Sequence, residues 1–83
     1  MVDKIEKFGI VNKIVIDDPE LSIQAKGIYS ILCTYANKNR LCFPSINTIA
    51  NTANVSTSTV DRKIKELKQH KYIQKIGRKY KIL

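Results

Sequence analysis

Acidic residues are scarce in this 83-residue chain: seven Asp and Glu stand against fifteen Lys and Arg, a formal net charge of +8. The imbalance is uneven. Residues 1–40 carry a net of +1 and residues 41–83 a net of +7. One sign concentrated on half of a small chain points to a polyanionic partner. Histidine and cysteine are scarcer still. His70, Cys33 and Cys42 are the only ones, short of the four paired ligands of a structural zinc site, so no metal is expected. The start, MVDKIEKFG, lacks the apolar core of a secretion signal. The cysteines therefore read as buried, reduced thiols of a cytoplasmic protein, not as a disulfide. No apolar run approaches the ~20 residues of a membrane span. No pair of titratable side chains is spaced for chemistry, so the expectation is no enzyme, no cofactor and no small-molecule substrate. The pattern exposes no aromatic platform, which disfavours RNA.

What is present centres on Ser45–Leu67, SINTIANTANVSTSTVDRKIKEL. Pro44 can stop an incoming strand, because it has no N–H to give a ladder. Ser45 is an N-cap candidate. Ile46, Ile49 and Ala50 recur at helical spacing, and Ala50 is small where another helix must cross. Asn54 tolerates the left-handed conformation that ends a helix, and Val55 can plug the corner behind it. Ser56 is a second N-cap candidate. Val60, Ile64 and Leu67 then form an apolar stripe at i, i+4, i+7. Two short helices joined by a tight turn follow from this spacing.

The opposite face of the second helix reads as Thr57, Ser58, Thr59, Arg62, Lys63 and Lys65. Hydroxyls and free amides at a helix start suit phosphate, and Arg can bond guanine in bidentate fashion. The expected partner is therefore double-stranded DNA. Thr57, Ser58, Thr59, Arg62 and Lys63 are expected to face the major groove. Ser45 and Asn47 are expected to hold the backbone.

Upstream, Phe8–Ile16 (FGIVNKIVI) is rich in β-branched residues and predicts a strand. It is apolar on both faces, which suggests a homodimer contact. Asp17-Asp18-Pro19 ends it. Ser22 is the N-cap candidate of a core-facing helix carrying Ala25, Ile28, Tyr29, Leu32 and Ala36, widened by Ile31 and Tyr35. Gly27 inside that helix predicts a close helix crossing. Leu41–Phe43 reads as a short strand. Downstream, the second motif helix is expected to run to about Lys71, with His70 a surface residue on its last turn. Tyr72–Ile76 and Lys79–Leu83 around Gly77-Arg78 predict a hairpin. Its tip, with Lys75, Arg78 and Lys79, is dense in cations and placed to touch the DNA backbone.

The order strand, helix, short strand, helix, helix, hairpin gives an α+β class. It is that of a winged helix–turn–helix: N-terminal strand, three helices and a C-terminal β-hairpin wing. Residues 21–73 resemble the winged-helix domains at the N-terminus of plasmid and phage replication initiators, the RepA-type and replisome-organiser proteins of Gram-positive bacteria. The resemblance rests on Leu21, Ser22, Ala25 and Lys26, on Phe43, Pro44 and Ser45, on Val55 and Ser56, and on Thr59, Val60, Arg62 and Lys63. It covers roughly residues 8 to 76. The sequence departs from that pattern at Asp61, where a second basic residue is frequent, and in its very short wing. The resemblance implies binding to repeats in a replication origin, often as a dimer, by a domain at the front of a longer protein. Residues 1–83 are accordingly expected to be one domain, complete or a fragment. A transcription regulator has the same fold and contacts. A winged-helix protein-interaction module is the more distant reading.

Overall fold

A computed structural model describes residues 9–83. The elements are α1 (Lys13–Ile16), α2 (Ile23–Tyr35), β1 (Leu41–Cys42), α3 (Ile46–Ala53), α4 (Thr57–Gln69), β2 (Ile73–Ile76) and β3 (Lys79–Ile82). The class is α+β and winged-helix-like: helices over a small antiparallel sheet of order β1-β3-β2. Register pairs Leu41 with Lys81 and Cys42 with Tyr80, and on the other edge Ile73 with Ile82 and Ile76 with Lys79.

The helix starts follow capping chemistry. The Ser22 hydroxyl accepts from the Ala25 N–H at 3.1 Å, satisfying a donor that the helix cannot. α2 then buries Ala25, Ile28, Tyr29, Leu32 and Cys33. They pack against Ile49 and Ala50 of α3, Val60, Ile64 and Leu67 of α4, and Ile73, Tyr80 and Ile82 of the sheet. Both cysteines are buried free thiols. Burial pushes the Cys42 thiol up to about 11, so it is an inert core residue at neutral pH.

The expected N-terminal strand is not there. Residues 9–12 are irregular and residues 13–16 form one helical turn. Phe8 lies outside the described residues. The reason is local: the Asn12 side chain accepts from the Ile14 N–H at 3.0 Å and caps a helix where the strand reading needed continuous extension. Val15 drops fully into the core, while Ile10 and Ile14 stay about 70% exposed. Gly9 lets this segment cross the end of α2. A Cβ there would stand 2.8 Å from the Cys33 carbonyl oxygen.

Three smaller expectations also change. Gly27 marks no close crossing, since a Cβ built on it meets nothing within 4 Å. Tyr35 is exposed and does not widen the core stripe. α4 ends at Gln69, and Lys71 turns left-handed (φ 63) so that the Tyr72 N–H reaches the Leu67 carbonyl at 3.0 Å. His70, the C-cap, is more than a surface residue. Its ring stacks on Tyr72 at 5.9 Å, and its Nδ1 lies 3.7 Å from Asp18 Oδ2. The Tyr72 hydroxyl donates to that same oxygen at 2.6 Å. This cluster fixes the end of α4 to the turn before α2.

Candidate nucleic-acid interface

α3, the turn and α4 are set by three side chains. The Ser45 hydroxyl accepts from the Thr48 N–H at 3.1 Å and starts α3. Asn54 ends it in the left-handed conformation (φ 58, ψ 45), and the Val55 N–H bonds the Ala50 carbonyl at 3.1 Å. That pair closes the helix as a Schellman turn does, with Val55 packed against the core. The Ser56 hydroxyl then accepts from the Thr59 N–H at 3.1 Å and starts α4 in a new direction.

α4 buries Val60, Ile64 and Leu67. The row diametrically outward is Ser58, Arg62, Lys65 and Gln69, all exposed. Thr57 and Asp61 are also exposed, and Thr59 is half-buried. Arg62 is oriented from within the helix. Its Nη2 donates to Thr59 Oγ1 at 3.3 Å, and that oxygen is bonded to the Ser56 hydroxyl at 3.0 Å. The guanidinium is thus drawn back toward the start of α4. Lys65 pairs with Asp61 at 3.3 Å in the open, a weak contact that a stronger anion can displace.

Lys63 does not join this row. Its side chain is 15% exposed and its Nζ lies 3.4 Å from Glu66 Oε1. Glu66 also accepts from the Ser22 N–H at 2.8 Å and the Ser22 hydroxyl at 2.9 Å. These contacts, the Ser22 N–H first, hold the Glu66 carboxyl below its ordinary range. The physical reason for this placement is helical phase. Lys63 stands three residues after buried Val60 and four before buried Leu67, on the side that meets α2.

The wing places Lys75, Arg78 and Lys79 in solvent, together with Lys81. Lys75 Nζ lies 5.8 Å over the Tyr80 ring and Lys79 Nζ 5.7 Å over the Phe43 ring. Ser45, Lys75 and Arg78 line one open cleft of about 280 Å³ between the start of α3 and the hairpin. Asn47, two residues into α3, is exposed. Asp61 sits close enough to raise the Tyr80 hydroxyl, after the larger effect of burial. The wing and the start of α3 are neighbours across that cleft. Sequence reasoning left Gln69 out of the site and used Lys65 only as a member of the polar face, although both follow from Arg62 by helical period. Phe43, on the rim of that cleft, is 58% exposed. Among the described residues no three of His, Cys, Asp and Glu converge, and no helix is long and apolar enough to cross a membrane.

The profile of a family described as "Helix-turn-helix domain" matches residues 20–73, more than half of the chain. The chain belongs to the helix-turn-helix domain family. No curated protein and no solved structure matches it. A helix-turn-helix domain is a DNA-binding unit whose second helix enters the major groove. The matched span holds α2, α3 and α4 and stops at the first residue of β2. Ser45, Asn47, Thr57, Ser58, Thr59, Arg62 and Lys63 lie inside the helix-turn-helix match, and the wing cations Lys75, Arg78 and Lys79 lie beyond it.

Proposed function

We propose that this helix-turn-helix domain binds double-stranded DNA sequence-specifically, as the origin-binding domain of a plasmid or phage replication initiator in the cytoplasm. The observation that carries specific binding is the Ser56–Thr59–Arg62 chain, which holds one guanidinium on the exposed row of α4. Ser58, Arg62 and Gln69 read base edges, and Lys65 beside them reaches a phosphate. Ser45, Asn47, Lys75, Arg78 and Lys79 hold phosphates, which position the domain without specifying sequence. The replication role rests on the resemblance carried by Phe43-Pro44-Ser45 and Thr59-Val60; a transcription regulator makes the same contacts. Homodimerisation belongs to the proposal, with Ile10 (69% exposed) and Ile14 (70%) as its apolar surface. Sedimentation that stays monomeric with and without DNA removes it.

The test is a salt titration of binding to random duplex DNA and to duplexes enriched by selection. Log K falls by about 0.9 per phosphate neutralised for each unit of log salt. A sequence-dependent offset is expected, and Arg62→Ala should cost about 1–3 kcal/mol on the selected site and less on random DNA. Equal affinity for both pools overturns specificity. Enriched repeats support an origin, whereas a single site upstream of a gene supports the regulator.

A further inference from the structure

We propose that Phe43 lets the wing also take an unpaired base of single-stranded DNA, the wing cations that hold duplex phosphates then following the single strand instead. The sheet register creates the arrangement. Cys42 is opposite Tyr80, so the next position sets Phe43 beside Lys79, whose Nζ lies 5.7 Å from the Phe43 ring centroid. The row continues to β2, where Ile76 is opposite Lys79. Cys42 and Tyr80 are buried, and strand alternation turns Phe43, Lys79 and Ile76 outward. Phe43 remains 58% exposed and Ile76 45%.

An exposed aromatic alone says little. The charge around it says more. Residues 71–83 contain five Lys and Arg and no Asp or Glu. Phe43 also forms one wall of the open cleft of about 280 Å³, with Pro44, Ser45, Lys75, Arg78 and Tyr80 around it. An exposed ring with cations beside it is the arrangement that binds single strands: the ring stacks a base and the cations follow its phosphates. A duplex has no free base face to offer, because its bases are stacked on each other. The helix-turn-helix match makes DNA the nucleic acid at hand, but α4 supplies none of these residues.

Fluorescence anisotropy tests this with oligo-dT of about twelve nucleotides, a duplex of equal length and oligo-U. The intact domain should bind oligo-dT. Phe43→Ala should weaken that binding about tenfold and Phe43→Tyr should keep it, because stacking needs only a ring. Phe43→Ala should leave duplex affinity within about twofold. Lys79→Gln is the second variant, should Phe43→Ala lower the melting temperature, and it should reduce the salt slope on oligo-dT by about one. Absence of oligo-dT binding overturns the proposal without touching duplex recognition. Equal losses on duplex and single strand make Phe43 part of the duplex interface and also overturn it. Tighter binding of oligo-U overturns the assignment to DNA.

Discussion

Glu66 of α4 accepts two hydrogen bonds from Ser22, at 2.8 Å from the backbone N–H and 2.9 Å from the hydroxyl, across 44 residues of sequence. Ser22 caps α2, so a single carboxylate joins the start of one helix to the outward helix of the motif. Lys63 closes the group at 3.4 Å. Glu66→Ala strips the Ser22 N–H of its partner and leaves Lys63 half-buried without its anion. An unsatisfied donor costs about 1–3 kcal/mol. Urea melts of Glu66→Ala should show a loss of that size at unchanged slope. A loss near zero would mean that water replaces the carboxylate without penalty.

Acid should act through the same contact and one other. Glu66, bonded first by the Ser22 N–H, and Asp18, bonded first by the Tyr72 hydroxyl, are both held below their ordinary values of 4.5 and 3.8. Each binds fewer protons native than unfolded, so its contribution is complete above those values and is lost as pH falls through the lower native ones. Tyr72, raised above 10 by Asp18, works in the opposite sense and loses its contribution only in alkali. Melting temperature should therefore fall as pH drops below about 4.5. Glu66→Gln should flatten part of that fall. An unchanged acid slope in Glu66→Gln would assign the lability to Asp18.

Those contacts were invisible in the sequence, and the contrast with what was visible has a physical basis. Ser22, Ser45 and Ser56 as caps, and Asn54 as the left-handed turn, depend on atoms within a few residues, so their chemistry could be read locally. The stripe Val60, Ile64, Leu67 needed only the helical period. The strand reading of residues 9–16 failed because β-branched residues suit a strand only if a partner strand exists, and Asn12 offered a local cap instead. Lys63 is a different case. Counting it as polar outweighed its phase, which sets it between Val60 and Leu67. The links of Glu66 to Ser22 and of Asp18 to Tyr72 span 44 and 54 residues, beyond any local pattern.

Gly27 offers a direct check of helix energetics. It sits in the middle of α2, is exposed, and a Cβ there meets nothing within 4 Å. Glycine in such a position costs roughly 1 kcal/mol relative to alanine, mostly through the freedom it has when unfolded. Gly27→Ala should raise the melting temperature by about 4–8 °C and leave DNA affinity unchanged. Gly27 lines a shallow groove with Ile28, Ile31 and Val55, and a lowered melting temperature would show that this groove closes on the α2 backbone in solution.

Lys63 and Lys65 are two residues apart and should behave in opposite ways. Lys65 is on the exposed row with Arg62, and its pairing with Asp61 is 67% and 61% exposed, so it can turn to a phosphate at little cost. Lys65→Ala should lower the salt slope of duplex binding by about one and leave the melting temperature nearly unchanged. Lys63 is 15% exposed and holds Glu66. Lys63→Ala should lower the melting temperature and leave the salt slope unchanged. Parallel salt titrations and thermal melts of the two variants separate the cases. If Lys63→Ala changes the slope and Lys65→Ala does not, α4 meets DNA with the side that here faces α2, and the outward row of Ser58, Arg62, Lys65 and Gln69 is the wrong one.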